Sequence, residues 1–209
     1  GATAFSMREG TVKENFATNS AGARFDNTSE VYITQSLFED NDADGSSGCV
    51  FRASDSLYLR VDSTTFRDNR SFITRGGVFA ILDDLLPLKG DTIMMGCDIT
   101  GNGPKGFFGF AGFMAVNDYT GHDTGGDLYF VDCSFNNNTA GTGAGDGGVF
   151  HFRRDVYANL HFINTSFIGN RGPEGGVFNM DNSSAGLYFN NCEIRDNRAV
   201  SRDGGFINL

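Results

Sequence analysis

A short run of alternating carboxylates is the most distinctive group of metal ligands in the sequence. Asp40, Asp42 and Asp44 precede Gly45 in a pattern typical of the first half of a calcium-binding loop. A complete loop of that kind closes with a glutamate, and the closing position here holds Phe51. The run is therefore either a partial calcium site or a solvated acidic corner, and no other cofactor is predicted.

Three histidines and two acidic residues are the side chains that could catalyse cleavage of a polysaccharide. Such catalysis requires several charged groups within a few ångströms of one another. His122, His151 and His161 have no nucleophile at a spacing that indicates a catalytic pair. Asp98 and Glu193 remain, and the fold decides whether they can meet.

The overall composition excludes two classes of partner. A net charge of -10 argues against binding a nucleic-acid backbone, which requires clustered Lys and Arg. No apolar run approaches the roughly 20 residues that span a bilayer, so direct membrane insertion is not predicted. The chain has 209 residues, with 29 Gly and 21 Phe but no Trp, so large flat side chains stand in an otherwise small and turn-forming sequence.

An internal repeat explains this composition. Its clearest mark is an apolar residue three positions before an asparagine, which occurs seven times. The asparagines are Asn15, Asn41, Asn69, Asn102, Asn138, Asn170 and Asn197, at intervals of 26, 28, 33, 36, 32 and 27 residues. A pair of small residues, usually Gly-Gly, follows each asparagine, and short alternating apolar segments complete the repeat.

The alternation within each short segment predicts strands and disfavours helices. Three short strands per repeat, with Gly, Asn and Asp at the corners, are typical of one coil of a parallel β-solenoid. Equivalent residues would stack about 4.8 Å apart, which predicts a ladder of the seven asparagines and an internal ladder of Phe38, Phe66, Phe135 and Phe167. Asp98 and Glu193 would then lie three coils, roughly 14 Å, apart. The alternative fold is a Gly-rich β-sandwich, whose strands would not repeat in register seven times.

The repeats resemble those of a known group of surface proteins. Phe66-Arg-Asp-Asn69 with Gly76-Gly-Val78, and Phe167-Ile-Gly-Asn170 with Gly175-Gly-Val177, are similar to repeats of chlamydial polymorphic membrane proteins and of similar β-helix proteins of algae and other protists. The resemblance covers about residues 10–209 and implies a right-handed, extracellular, surface-exposed adhesive or structural β-helix. We therefore expect an all-β protein, a right-handed parallel β-helix of about seven coils with three short strands each. Residues 1–209 form one domain in this prediction. Because neither end has a cap, the domain is expected to be a segment of a longer chain or a unit that stacks end to end in a fibre.

Three of the four cysteines fall at one inward-facing position of the repeat. Cys97 and Cys133 lie on adjacent coils, within disulfide range, whereas Cys192 lies two coils beyond Cys133. Two interpretations stay open: a Cys97–Cys133 disulfide, or stacked buried thiols that serve as small core residues. Cys49 stands alone at a small-residue corner.

An apolar stripe beside the core ladders predicts an interaction face. Its members are Val78, Phe113, Val149, Val177 and Phe206, with Tyr129 and Tyr188 on the preceding strand available for sugar stacking. An exposed stripe of this kind usually marks a contact surface. The alternative is that these residues merely favour strands and that nearby loops cover them.

Loops and sequons supply further candidates. The longer middle repeats place Tyr119, His122 and Asp123 in a projecting segment, where we predict contact residues. Asn137, Asn164 and Asn182 begin Asn-x-Ser/Thr sequons at turns, where N-glycosylation is predicted if the source glycosylates.

Together these patterns predict a non-catalytic extracellular or cell-surface scaffold, with structural or adhesive function and membership of a surface filament as one form. The predicted partners are other subunits or domains of the same assembly, or a polysaccharide. The alternatives are a β-helix polysaccharide lyase or hydrolase and a carbohydrate-binding module, since the fold alone does not decide function.

Overall fold

The structure is a computed structural model built entirely from short parallel strands in its described part, which contains no helix. It describes residues 4–18, 21–26, 30–44, 50–54, 58–71, 77–83, 91–104, 111–118, 127–141, 147–153, 159–181, 185–201 and 204–209. Each strand pairs in parallel with the equivalent strand of the neighbouring repeat, in seven successive repeats. The predicted all-β class and the parallel pairing between repeats are confirmed.

Three seven-stranded sheets run the length of the repeats. Sheet 1 contains Ala4–Arg8, Glu30–Thr34, Tyr58–Asp62, Thr92–Met95, Leu128–Val131, Leu160–Ile163 and Leu187–Asn190. Sheet 2 contains Thr11–Lys13, Leu37–Glu39, Thr65–Arg67, Asp98–Thr100, Ser134–Asn136, Ser166–Ile168 and Glu193–Arg195. Sheet 3 contains Ala23–Asp26, Phe51–Ser54, Phe79–Asp83, Met114–Asp118, Phe150–Arg153, Phe178–Asp181 and Ile207–Asn208.

A fourth set of strands, which the sequence did not predict, follows the asparagines. This short row contains Phe16–Ala17, Asp42–Ala43, Arg70–Ser71, Gly103–Pro104, Arg171–Gly172 and Arg198–Ala199. In the fifth repeat Thr139 takes the same place through an isolated bridge to Arg171. A strand of only two residues is too short to show alternation in the sequence, so it was not predicted. Each of these repeats therefore has four strands where three were predicted.

Two corners per repeat use the left-handed backbone region. They directly precede the inward column that holds Ser36, Thr64, Cys97, Cys133, Thr165 and Cys192, and the asparagine column. At the second corner the residues with positive φ are Glu14, Asp40, Asp68, Gly101, Asn137, Gly169 and Asp196. Asp, Asn and Gly predominate because they tolerate this conformation best.

Glycine at the Gly-Gly corner is predicted to permit either a tight bend or a positive φ. Of the glycines there, only Gly204 has a positive φ in the described part. A Cβ on Gly112 would lie 2.3 Å from the carbonyl oxygen of Gly148, and one on Gly148 would lie 2.1 Å from that of Gly176. Glycine is therefore required by the close approach of adjacent backbones.

Stacked phenylalanine rings form the core, as predicted. The ring centroids of Phe38 and Phe66 are 5.2 Å apart with an interplanar angle of 13°. Phe135 and Phe167 repeat this geometry at 5.1 Å and 7°. All four rings are buried, so the internal ladder is confirmed.

Equal spacing after the Gly-Gly pairs predicts a second internal column of Phe25, Phe51, Phe79, Phe150 and Phe178, and the first repeat is out of step with it. Ala23, not Phe25, pairs in register with Phe51, and Phe25 pairs with Ala53. The rings of Phe25 and Phe51 nevertheless stack, with centroids 5.8 Å apart. The first repeat is thus two residues shorter at this corner than equal spacing predicts.

The prediction of an outer apolar stripe along the Gly-Gly-Val segments is wrong. Val78, Phe113, Val149 and Val177 are fully buried, and Phe206 is half-buried. Alternation holds only inside a strand, whereas Val78 lies in the bend just before the strand that starts at Phe79. The backbone N–H groups of Val78 and Phe79 both donate to the carbonyl oxygen of Phe113, at 3.0 and 2.8 Å. Two consecutive side chains therefore point into the core.

Candidate interaction surface

The asparagine ladder is present through all seven repeats and is a structural element. The Nδ2 of Asn69 donates to Oδ1 of Asn102 at 3.0 Å and to the carbonyl oxygen of Phe38 at 2.9 Å. The backbone N–H of Asn69 donates to the same Oδ1 at 3.0 Å. Equivalent side-chain hydrogen bonds join each of the other five neighbouring pairs between Asn15 and Asn197. The five central asparagines are fully buried, so these rungs present no group to a ligand, whereas Asn15 is exposed and Asn197 is half-buried.

The outer surface of sheet 1 carries a row of three aromatic rings. Tyr129, His161 and Tyr188 are paired in register on successive strands. The centroids of Tyr129 and His161 are 4.6 Å apart at 9°, and those of His161 and Tyr188 are 4.8 Å apart at 10°. Tyr188 remains 53% exposed.

This geometry limits the predicted sugar stacking. Nearly parallel rings cover one another's faces, and stacking a sugar requires an uncovered face. His161 is covered on both faces, and Tyr129 is covered on the face toward His161. Tyr129 and Tyr188 each keep one face that no described ring covers; Ile93 is the register neighbour of Tyr129 on that side, and Tyr188 is the more exposed ring. Tyr188 is therefore the better ring on which a ligand could stack.

A polar chain that the sequence analysis missed borders the aromatic row. Oδ1 of Asp127 accepts hydrogen bonds from the backbone N–H and Nδ2 of Asn159, at 3.0 and 3.1 Å. Its Oδ2 lies 3.1 Å from Nε2 of His161. Partial burial opposes ionisation, but the hydrogen bonds from Asn159 and His161 prevail and lower the pKa of Asp127. The sequence did contain one indication of this contact, because Asp91 and Asp127 occupy the same repeat position, directly before a sheet 1 strand.

On the outer side of sheet 2, Glu39 binds two cations from adjacent repeats. Oε2 of Glu39 lies 3.2 Å from Nζ of Lys13, and Oε1 accepts hydrogen bonds from the guanidinium of Arg67. The hydrogen bonds from Arg67 and Lys13 lower the pKa of Glu39. This group of three side chains links the first three repeats through ion pairs.

The predicted calcium ligands are not brought together. Asp40 is exposed at a left-handed corner, Asp42 lies in the short row, and Asp44 is exposed beyond it. Asn41, between the first two, belongs to the asparagine ladder. No group of three metal-ligating side chains occurs among the described residues. The structure therefore gives the partial calcium site no support.

The two acidic residues considered for catalysis lie far apart. Successive register pairs place Asp98 and Glu193 three strands apart, roughly 14 Å. Asp98 accepts a hydrogen bond from Ser134 at 2.6 Å, and Glu193 binds Arg195 at 2.7 Å. Each carboxylate thus has a local partner of its own.

The two cysteines predicted to lie on adjacent coils are neighbours inside the corner between sheets 1 and 2. Cys97 and Cys133 are buried and are free thiols in this structure. Cys192 is also free, half-buried, and separated from Cys133 by Thr165. Cys49 lies outside the described residues.

The remaining predicted sites divide into described and undescribed residues. Asn137 and Asn164 are exposed at left-handed corners, where a glycan could be attached. Asn182 and the predicted contact residues Tyr119, His122 and Asp123 lie outside the described residues.

Comparisons of the chain with protein-family models, curated proteins and solved structures give no match. Within the described ranges, no helix is long and apolar enough to cross a membrane.

Proposed function

We propose that the chain is a right-handed parallel β-helix of about seven coils that acts as a non-catalytic extracellular scaffold, structural or adhesive. Parallel, in-register pairing across every repeat supports this architecture. The partners are other subunits or domains of one assembly, including those of a surface filament, or a polysaccharide.

A scaffold is supported by the recurring polar side chains, which form hydrogen bonds between repeats. The ladder asparagines bond to one another and to backbone carbonyl oxygens of the neighbouring repeat. These asparagines therefore hold neighbouring repeats together, and any recognition of a partner falls to the variable residues of the outer rows. Asp98 and Glu193, which the register separates by roughly 14 Å, cannot act on one glycosidic bond.

A carbohydrate-binding module is the second candidate, and the aromatic row favours it. Tyr188 offers an open ring face, while Asp127 and Asn159 supply fixed polar groups beside the same row. Ligand sites commonly combine aromatic side chains with a few fixed polar groups that orient the ligand.

Three measurements on the full chain distinguish these functions. We expect no turnover of a panel of uronate polymers; turnover that scales with purified protein would refute the scaffold and favour a lyase or hydrolase. Retention on a glycan array that Tyr188→Ala abolishes and the same-face control Tyr32→Ala preserves would favour the carbohydrate-binding module. Assembly seen by negative-stain microscopy, without glycan retention, would favour the structural scaffold.

A further inference from the structure

Cys97 and Cys133 are direct neighbours on adjacent repeats. The backbone N–H of Ser134 donates to the carbonyl oxygen of Cys97 at 2.9 Å, which fixes this register. Equivalent positions of paired strands lie about 4.8 Å apart, inside the range of about 4.4 to 6.8 Å between Cα atoms that disulfides span. The backbone therefore places the two residues at a Cα separation that a disulfide can span.

The two thiols also interact with each other. Sγ of Cys97 lies 3.4 Å from the carbonyl oxygen of Met95, and Sγ of Cys133 lies 3.3 Å from that of Val131. The interaction between the two neighbouring thiols lowers the pKa of Cys97 and raises that of Cys133. The sulfur of Cys97 is consequently the better nucleophile of the two, since the thiolate is the attacking species. Both side chains are almost completely buried, so reaction requires transient opening of the corner.

The same column supplies an internal control. Thr165 separates Cys133 from Cys192, which places those two cysteines roughly 10 Å apart, beyond disulfide range. Ser36 occupies the column in the second repeat. Serine is therefore compatible with the local structure, and Cys→Ser variants are suitable probes.

We propose that Cys97 and Cys133 form a reversible disulfide, with a low-molecular-weight disulfide such as glutathione disulfide as the oxidant. The thiolate of Cys97 attacks one sulfur of glutathione disulfide and expels one glutathione thiolate. The thiolate of Cys133 then attacks the Cys97 sulfur of the mixed disulfide and expels the second. Two protein thiols are oxidised, one disulfide is reduced to two glutathione thiols, and these take up the two protons.

The bridge would reinforce the widest interval in the stack. The ladder asparagines Asn102 and Asn138, which belong to the same two repeats, are 36 residues apart, the largest separation between neighbours. A cross-link stabilises more when it closes a longer loop. We expect the melting temperature to rise by about 10 °C on oxidation.

The experiment compares the full chain after equilibration with glutathione disulfide and after reduction with dithiothreitol. Peptide mapping by mass spectrometry should find a Cys97–Cys133 link in the wild type and in Cys192→Ser, with the higher melting temperature in both. Cys97→Ser and Cys133→Ser should show neither the link nor the shift. Recovery of only mixed glutathione disulfides, or of a link to Cys49 or Cys192 instead, would overturn the proposal.

Discussion

Replacing Asn102 by alanine removes the middle rung of the asparagine ladder. The Asn102 side chain donates to Oδ1 of Asn138 at 3.1 Å and to the carbonyl oxygen of Phe66 at 2.8 Å. Its Oδ1 accepts from the backbone N–H and the Nδ2 of Asn69, both at 3.0 Å. Four hydrogen bonds disappear together, and the buried N–H of Asn69 loses its side-chain acceptor.

The magnitude follows from these bonds. A buried hydrogen bond contributes about 1 kcal/mol net, and leaving a buried donor unsatisfied costs about 1 to 3 kcal/mol more. We therefore expect Asn102→Ala to lower the free energy of unfolding by about 5 to 7 kcal/mol, a large part of the total for an ordinary domain. Asn15→Ala is the matched control, because Asn15 is exposed and its side chain only donates, to Asn41 and to the Lys13 carbonyl. It should cost less than about 1 kcal/mol.

Urea unfolding of both variants, followed by circular dichroism and tyrosine fluorescence under reducing conditions, measures the difference. Repeat proteins can unfold in more than one step, so a single free energy of unfolding is assigned only where the two probes give coincident transitions. If Asn102→Ala loses no more stability than Asn15→Ala, the ladder does not hold the repeats together, and the reasoning on cohesion fails.

Two further predictions concern the Gly-Gly corner and the ion pairs. Gly112→Ala should destabilise the protein by about 2 kcal/mol or more, because its Cβ would lie 2.3 Å from a backbone oxygen, whereas the nearest atom to a Cβ on Gly205 would be at an ordinary 3.5 Å; equal melting temperatures for Gly112→Ala and Gly205→Ala would contradict this. Arg67 holds the pKa of Glu39 below its ordinary value, so the stabilisation from Glu39 is complete above the unfolded-state pKa of about 4.3 and is lost as the pH falls through the lower folded-state pKa. Glu39→Gln should therefore reduce the loss of stability measured between pH 5 and pH 3 by urea titration, and an unchanged acid slope would argue against this ion pair.

Features that recur at equal positions in successive repeats could be predicted from the sequence, whereas features that depend on the local geometry of a repeat could not. The asparagine column and the Phe38–Phe66 stack follow from equal positions in successive repeats, because parallel pairing places like residues side by side. The inward orientation of Val78 could not be predicted, since alternation gives no warning of a bend between two strands. The contact between Asp127 and His161 joins non-equivalent positions of neighbouring repeats, and comparing equivalent positions cannot reveal it.

The fourth repeat shows how the core tolerates departures from the pattern. Its ladder residue is Ile99 and its first sheet 3 residue is Met114, both without a ring, but its corner residue is Phe113 where the neighbouring repeats have valine. The ring of Phe113 lies 6.1 Å from that of Phe66 and 5.4 Å from that of Phe135, so it occupies the space between the two ladder segments. Close packing requires the summed volume of a layer to be kept, and a larger corner residue compensates for smaller neighbours.

The interior and the outer rows are under different physical constraints. In the asparagine column each side chain bonds to the equivalent side chain of the next repeat, which is why asparagine fills all seven rungs. An outer row of sheet 1 needs only strand-compatible residues, and Arg60, Ile93, Tyr129, His161 and Tyr188 follow one another there. Specific recognition requires a local arrangement that differs from its surroundings. Among the described residues, the Tyr129–His161–Tyr188 row with Asp127 is a place where neighbouring repeats differ on the outside.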